Sequence, residues 1–363
     1  MIREENDIVI DQLIQEGRSF ALWRIPGEET IHFRMQTTGS PDLIYDLSAL
    51  NGRSGFVIAP FHVSTEHPIV LIQPDCFELP EKTKASSPEN IGMFARKEYD
   101  VSDKAKAWNQ YQVAFQHFWS ALDAKKAEKL VLSRSFTWEK AERLSPGKAF
   151  FRACRHYVYS YVYLCHTPQT GTWIGGTPEI LLSGEGKQWQ TIALAGTQHL
   201  SSGRLPRPWD EKNMREQQLV ATYIREQLEK KGIHPEEQGP YSAVAVELAH
   251  LRSDFRFELP DTQHLGDLLD LLHPTPAVCG FPKEIAHRFI LEREGYDRSY
   301  YSGFVGWLSP VGRTDLYVNL RCATMQDHCY TLFAGGGLLP SSRLQEEWQE
   351  TNDKMQTMKK IIE

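Results

Sequence analysis

Two glutamates near the carboxyl terminus have the spacing that a metal site on a helix would use. In the stretch EEWQETNDK, Glu347 and Glu350 are three residues apart and share one helix face, and Lys354 follows one turn later. An apolar stripe runs beside them along the predicted helix. Both carboxylates therefore need partners, because burying an unpaired charge is costly.

Three adjacent glycines, Gly335, Gly336 and Gly337, come between a predicted strand and that helix. Without a Cβ, their backbone N–H groups can approach a ligand closely, so we interpret them as a loop for an anion. A glycine loop followed by two carboxylates suggests a site for a metal-bound anionic substrate. The structural alternatives are a flexible turn and a solvated Glu-Glu-Lys face. The glycines match neither a dinucleotide-binding G-x-G-x-x-G pattern nor a Walker A loop.

Two more glutamates are predicted to reach the same interior. A long amphipathic helix carries Glu216 on its inner face, four residues before Val220. Glu179 follows the turn proline of GGTPE, which delivers it at the end of a predicted strand. Lys129 begins another strand, a position where a lysine is normally a solvated edge charge.

The elements that would position these side chains alternate between strands and helices. The pattern predicts an amphipathic helix over residues 102–126, a strand over 244–250 that ends at His250, and a strand over 315–323 that carries Arg321. Short strand spacing indicates hairpins, and no regular βαβ repeat is present. We predict a single large α+β domain with two extensive, mainly antiparallel sheets.

Composition narrows the class of protein. The chain has 363 residues, of which 41% are hydrophobic and 24% charged, and a net charge of −7, which argues against a nucleic-acid partner. We expect no signal peptide, because the first residues carry acidic side chains and no apolar run, and no apolar run in the chain approaches the ~18 residues that span a membrane. Its six cysteines lack metal-site spacing, so we expect buried thiols in a cytoplasmic protein, acting as a monomer. Residues 79–90 are predicted to form a loop.

Several segments together resemble the chorismate-utilising enzymes, and within that family the isochorismate synthases. The resemblance covers roughly residues 105–363 and implies a sandwich of two large sheets with helices outside. Residues 1–100 would be a divergent part of the same domain as the catalytic region, residues 101–363. The matching segments are KLVLSR (129–134), GTPE (176–179), LAGT (194–197), HPTPAVCGFP (273–282) and FAGGGLLPSS with EEWQET (333–351).

The resemblance implies a reaction and a catalytic pair. Isochorismate synthases add water at ring carbon two of chorismate and expel the hydroxyl at carbon four, feeding menaquinone or catecholate siderophore synthesis. This chemistry needs a base and an acid on opposite faces of the ring. Lys129 would be the base, which requires a neutral amine. Glu179 would be the acid, whose pKa burial would raise.

The resemblance also implies a Mg²⁺ site, since this hard cation prefers oxygen ligands. Glu216 and Glu350 would bind the ion directly, and Glu347 would reach it through water. One residue departs from the family pattern: Asn213 stands where most relatives carry an acid, which would weaken the outer shell of that site.

The two carboxylates of chorismate would be held separately. Arg321 and the backbone of the glycine run would bind the enolpyruvyl carboxylate. Gly196 and Thr197 would line the side of the ring carboxylate. His250 would lie beside the substrate, with a buried core histidine as the alternative interpretation.

Related enzymes define the alternatives. Aminodeoxychorismate synthase has a lysine in its P-I-K-G-T motif where this chain has Ala195, and anthranilate synthase lacks a lysine in the position of Lys129, so both amination reactions are disfavoured. Salicylate synthase, which adds pyruvate elimination, is the main alternative. A non-catalytic chorismate-binding relative is another, although it would have no reason to retain the complete acid–base and metal set.

Overall fold

The computed structural model describes residues 2–81, 101–200, 208–245 and 248–363. These residues form seventeen β-strands and seven α-helices, numbered β1–β17 and α1–α7 in chain order. The strands make two sheets of eight and nine strands, in which every described strand pair is antiparallel. The predicted α+β class and the two large antiparallel sheets are confirmed.

The first sheet has eight strands, and it brings β6 beside β17. In spatial order its strands are β13 (Gly280–Phe281), β6 (Lys129–Glu139), β17 (Cys329–Leu338), β16 (Cys322–Met325), β8 (Gly171–Thr177), β7 (Tyr161–Thr167), β1 (Ser19–Arg24) and β2 (Ile31–Gln36).

The second sheet has nine strands, and it brings β10 beside β12. In spatial order its strands are β11 (Glu236–Ala245), β12 (Leu248–Glu258), β10 (Gln188–His199), β9 (Ile180–Glu185), β15 (Thr314–Val318), β14 (Phe304–Leu308), β4 (Gly55–Ala59), β5 (Ile69–Ile72) and β3 (Asp42–Ile44).

The helices cover the outer faces of the sheets. None of the helices in the described ranges has the length and apolar character needed to cross a membrane. They are α1 (Asp7–Gln15), α2 (Lys104–Asp123), α3 (Pro146–His156), α4 (Glu211–Lys230), α5 (Leu265–Leu272), α6 (Lys283–Arg293) and α7 (Leu344–Ile362), with short 3-10 helices at Glu4–Asn6 and Leu47–Leu50.

Alternating side chains explain why the sheets stack. In β1, Ala21 and Trp23 belong to the core between the sheets, whereas Phe20 and Leu22 pack against the helices on the outer face. All six residues of β1 are buried and its four central residues are apolar, as expected for a strand that is covered on both faces. The chain therefore forms a sandwich with helices outside, as the family resemblance implied.

The first hundred residues contribute to both sheets. Strands β1 and β2 extend the eight-stranded sheet, and β3, β4 and β5 form one end of the nine-stranded sheet. The loop predicted over residues 79–90 lies, from residue 82 onward, outside the described residues.

Two predicted strands are wrong in their extent. The strand predicted over residues 315–323 is two strands, β15 and β16, which belong to different sheets. The strand predicted over residues 244–250 is the end of β11 and the start of β12, and His250 lies inside β12 opposite Ala243. Residues 315–323 keep an alternating pattern and residues 244–250 are mostly apolar, so in neither stretch does the pattern of residues reveal the break.

A buried ion pair ties the loop before α6 to strand β6. Arg298 donates to Glu294 Oε2 at 2.6 Å and to the carbonyl oxygens of Val131 and Val278 at 2.8 Å each. Glu294 Oε1 in turn accepts from the backbone N–H of Ser133 at 2.7 Å. The side chains of Arg298 and Glu294 are only 2% and 1% exposed, so neither charge could be hydrated if the other were removed.

We predict that Glu294→Gln destabilises the protein by about 3–5 kcal/mol, because it leaves the Arg298 guanidinium buried without a counter-ion. Urea unfolding followed by circular dichroism measures the change. Glu292→Gln, on the exposed face of the same helix, is the matched control. Equal midpoints for the two variants would contradict the structural role given to this pair.

Candidate active site

The predicted site residues come together in one pocket between the sheets. The pocket contains about 740 Å³ of empty space, part of it open to solvent. Of the twelve predicted residues, Lys129 and Glu347 lie just behind the wall. The other ten line it: Glu179, Gly196, Thr197, Glu216, His250, Arg321, Gly335, Gly336, Gly337 and Glu350.

The glycines do not form a loop, which corrects our prediction. Gly335, Gly336 and Gly337 lie within β17 and pair with Ser133, Leu132 and Val131 of β6, respectively.

What the glycines provide is room for charged side chains. A Cβ at Gly337 would overlap a carboxylate oxygen of Glu216, and it would stand 2.7 Å from Cε of Lys129. A Cβ at Gly336 would lie 3.2 Å from Oε2 of Glu347 and 3.5 Å from Oε1 of Glu350. Because Gly336 and Gly337 have no side chains, the carboxylates of Glu216, Glu347 and Glu350 can lie directly against β17.

Each of these glutamates has a lysine partner. Lys129 Nζ lies 3.0 Å from Glu216 Oε1, and its side chain is fully buried at the start of β6. Lys354 Nζ lies 2.7 Å from Glu350 Oε1 and also donates to the carbonyl oxygen of Gly335 at 2.9 Å. Glu216 and Glu347 can be buried, and Glu350 partly buried, because an ammonium group neutralises each of them.

Lys212 is the third lysine, and sequence analysis missed it. It lies 2.5 Å from Glu347 Oε1, whose side chain is 1% exposed. The signal was available, because Lys212 precedes Glu216 by four residues and so shares its face of α4. The predicted inward aim of Glu216 is confirmed by its place in the pocket wall.

The two glutamates of α7 differ in their ionisation. Burial, and then the neighbouring Glu350 charge, raise the pKa of Glu347 to about 7. Burial also acts on Glu350, but Lys354, Lys212 and a hydrogen bond from Thr197 outweigh it and lower its pKa. Glu350 is therefore the more firmly ionised carboxylate of the pair.

Glu179 is held as a neutral acid. It is 2% exposed, and its Oε1 has no hydrogen-bond partner among the residues that the structure describes. Burial raises its pKa to about 8, although the charges of Lys129, Lys354 and Arg321 partly oppose that shift. The side chain is therefore mainly protonated at neutral pH and loses its proton as the pH rises through about 8.

Arg321 lies where the chain crosses from one sheet to the other. It connects β15 of the nine-stranded sheet to β16 of the eight-stranded sheet, with a left-handed φ of 45°. Its side chain is buried in the pocket wall, and desolvation lowers the pKa of the guanidinium to about 10. A buried guanidinium that faces a pocket suits a carboxylate ligand.

His250 and the turn at Gly196 and Thr197 form the wall opposite β17. His250 Nδ1 lies 2.9 Å from the carbonyl oxygen of Gly196 and 3.4 Å from Oγ1 of Thr197, and its Nε2 contacts Arg321. The backbone N–H of Thr197 donates to Asn213 Oδ1 at 3.2 Å. Asn213, which the family resemblance implied would weaken the outer shell of the Mg²⁺ site, thus holds this turn against α4.

The donor set around the glycines suits a hard cation. It consists of carboxylate oxygens, and Oε2 of Glu347 is buried without a hydrogen-bond partner among the described residues. The three glutamates are nevertheless not drawn together around one point. Within the described ranges, the group of ligand atoms that all lie within 4.8 Å of one another belongs to Glu66, His67 and Asp297. That group is outside the pocket and mostly exposed.

The sequence of this chain is similar to those of known chorismate-binding enzymes. Residues 61–363 match the family model described as "Chorismate binding enzyme". Isochorismate synthase EntC of Escherichia coli is 30% identical over 246 residues, which are 65% of this chain and 62% of the relative. The vibriobactin-specific isochorismate synthase of Vibrio cholerae is 26% identical over 84% of this chain and 78% of its own. The chain thus aligns with less than two thirds of the Escherichia coli relative.

Solved structures share the fold. DhbC of Bacillus anthracis superposes with a TM-score of 0.77 at 22% identity, covering 96% of this chain and 98% of its own. MenF, the menaquinone-specific isochorismate synthase of Escherichia coli, superposes with a TM-score of 0.75 at 19% identity, and the match covers 98% of this chain and 91% of MenF. Anthranilate synthase component I of Streptococcus pneumoniae superposes with a TM-score of 0.64 at 17% identity, and the match covers 93% of this chain and 89% of that protein. With the family model matched from residue 61 to residue 363, the chain belongs to the chorismate-binding enzyme family.

Proposed function

We propose that this protein is an isochorismate synthase, which converts chorismate to isochorismate with Mg²⁺ as cofactor. The product would feed menaquinone or catecholate siderophore synthesis, the two purposes named among its relatives and structural neighbours. The observation that carries the proposal is that a buried lysine, Lys129, and a protonated carboxyl, Glu179, are present at the same pocket. Hydroxyl transposition needs this combination of base and acid.

Lys129 and Glu179 would divide the chemistry between them. In the metal-free protein Lys129 is the ammonium partner of Glu216, so it would act as a base only after it has given up a proton. The neutral amine then takes a proton from a water molecule as the water oxygen bonds to ring carbon two. The bond between carbon four and its hydroxyl breaks, and Glu179 gives its proton to the departing oxygen. One water is consumed and one is released, so the reaction is an isomerisation.

Other pocket residues would orient the substrate. Arg321, with the β17 glycines, would receive the enolpyruvyl carboxylate, and the Gly196–Thr197 turn would face the ring carboxylate. The buried position of Arg321 supports this role, because a guanidinium withdrawn from water gains most from an anionic partner. Apolar residues such as Leu194 and Phe333 complete the wall and would exclude bulk water from the ring.

Glu216 and Glu350 would hold Mg²⁺ directly, and Glu347 would reach it through a water molecule. Mg²⁺ bound there would neutralise the ring carboxylate of the substrate. The ion would compete with Lys129 and Lys354, which now pair with the two ligand carboxylates. Support for the site comes from the oxygen donor set, and from the space that Gly336 and Gly337 leave open.

Salicylate synthase is the alternative activity, since it uses the same acid–base pair and then eliminates pyruvate. Elimination would require the pocket to bring the hydrogen of ring carbon two to the enolpyruvyl carbon. The titratable groups that line the pocket beyond the assigned set are Tyr301 and Lys354. Burial raises the pKa of Tyr301, and Lys354 is paired with Glu350, which favours hydration without elimination.

We also infer the setting in which the enzyme works. Both sheets contain strands from residues 1–100 and from residues 101–363, which supports one structural domain. All six cysteines are free thiols, in keeping with a reducing cytoplasm. The expected form is a cytoplasmic monomer without a nucleic-acid or membrane partner.

Removing either catalytic group should lower kcat by ~10²- to 10⁴-fold. Lys129→Ala loses the base, and Glu179→Gln keeps the shape but loses the proton donor. In the wild type, kcat should decline as the pH rises through about 8, where Glu179 loses its proton. Steady-state kinetics with Lys187→Ala and Glu185→Gln as exposed controls measure these effects. A loss confined to KM would contradict the assignments.

The product test separates the two activities. Because hydration with loss of hydroxyl only moves a hydroxyl group, the reaction should be reversible. Purified protein with Mg²⁺ should convert chorismate to a mixture of chorismate and isochorismate. Isochorismate supplied alone should be converted back to chorismate. Chromatography detects isochorismate, fluorescence detects salicylate, and a coupled assay detects pyruvate. Stoichiometric pyruvate and salicylate at neutral pH would establish the salicylate synthase reaction instead.

A further inference from the structure

The imidazole of His250 is held in one tautomer by its two neighbours. A carbonyl oxygen only accepts hydrogen bonds, so the Nδ1 atom that lies 2.9 Å from Gly196 O must carry the ring proton. A guanidinium only donates, so the Nε2 atom that contacts Arg321 Nη2 must present its lone pair. Both contacts require the same neutral tautomer, with the proton on Nδ1.

The first of these neighbours is itself fixed. Gly196 has a left-handed φ of 72°, and a Cβ there would lie 3.0 Å from Asn213 Oδ1. Asn213 accepts from the N–H of Thr197 and donates from its own side chain to Asp210 Oδ1 at 2.7 Å. The carbonyl that orients His250 is therefore anchored to the amino-terminal end of α4.

The second neighbour, Arg321, is in need of such an orienting contact. It lies at the crossing between the two sheets in a backbone conformation that non-glycine residues rarely adopt. Its side chain reaches into the pocket wall, where it is 8% exposed. A long side chain with several rotatable bonds keeps one direction only if fixed acceptors hold it.

We propose that His250 is a positioning residue, which accepts a hydrogen bond from Arg321 and thereby aims the guanidinium at a carboxylate of the substrate. This inference rests on the proposed function, because it takes chorismate as the dicarboxylate that Arg321 binds. His250 does not exchange protons with the substrate. The relay runs from Asn213 through the Gly196 carbonyl and the imidazole to Arg321.

The electrostatics of the pocket agree with a neutral imidazole. Burial, and then the positive charges of Arg321 and Lys354, lower the pKa of His250 well below its usual range. A protonated ring would place a second cation against the guanidinium and would present it with no acceptor.

Two substitutions separate the contacts of the ring. The amide of Gln reaches about as far as Nε2 and can accept from Arg321, whereas the amide of Asn reaches about as far as Nδ1 and can only donate to Gly196 O. Chorismate affinity should therefore be mostly retained in His250→Gln. It should fall ~10-fold or more in His250→Asn and His250→Ala, with the larger change in KM or Kd and the smaller in kcat.

A double-mutant cycle tests whether the effect passes through Arg321. His250→Ala should weaken chorismate binding in the wild type, but it should have little further effect in the Arg321→Ala background, because the group that it positions is gone. Equal losses in both backgrounds would overturn the inference. A loss of kcat without a change in affinity, equal for Gln, Asn and Ala, would overturn it in favour of proton transfer.

A measurement on the wild type uses a variant only to assign the His250 signal. Histidine ¹⁵N chemical shifts, with the His250 signal identified as the one lost in His250→Gln or His250→Asn, should show Nδ1 protonated and Nε2 bare from about pH 5.5 to 8.5. The opposite tautomer, or titration within that interval, would overturn the inference while chorismate turnover stayed intact. A wild-type protein that neither binds nor consumes chorismate would overturn the proposed function and, with it, this inference.

Discussion

Three glutamates lie beside the glycines of β17, with Glu216 and Glu347 buried and Glu350 partly exposed, and a lysine neutralises each of them. Lys129 of β6 pairs with Glu216 of α4, and Lys212 of α4 pairs with Glu347 of α7, so these two charge pairs join β6 to α4 and α4 to α7. Lys354 pairs with Glu350 within α7 and donates to the Gly335 carbonyl of β17. Burying a charge without a partner costs several kcal/mol, and this constraint fixes which elements must meet at the site. The sequence satisfies it with Gly336 and Gly337, because any side chain there would occupy the space of the carboxylates.

Two glutamates that line the same pocket, Glu179 and Glu350, differ in their ionisation. Glu179 has no ion-pair partner among the described residues and is mainly protonated at neutral pH, whereas Glu350 lies against Lys354 and remains ionised. This division allows one carboxyl to donate a proton while another serves a cation. The sheet crossing at Arg321 adds a guanidinium to the pocket wall, in contact with the imidazole of His250. The proposed function assigns a cation to the carboxylates beside β17 and an anionic group to Arg321.

Sequence patterns predicted much of this arrangement, but not its geometry. Helical spacing correctly placed Glu347 and Glu350 on one face, and the motifs identified the residues that line the pocket. The glycines were wrongly assigned to a loop, because a run of glycines has no periodicity to distinguish a strand from a turn. The break at Arg321 was missed since its neighbours on both sides are apolar. Lys212 was overlooked because a lysine at the start of a helix resembles any solvated charge, and only the fold brings Glu347 to it.

The central claim is that Glu216, Glu347 and Glu350 form a cation site that lysines neutralise in the metal-free protein. Isothermal titration of the purified, metal-free protein with Mg²⁺ tests it directly, for the wild type, Glu350→Gln and Glu346→Gln. Glu346 is exposed on the same helix, one position before Glu347, and serves as the control. The wild type and Glu346→Gln should bind Mg²⁺ with equal affinity, and Glu350→Gln should bind it at least ~10-fold more weakly. Equal Mg²⁺ affinity for Glu350→Gln and the wild type would contradict the account.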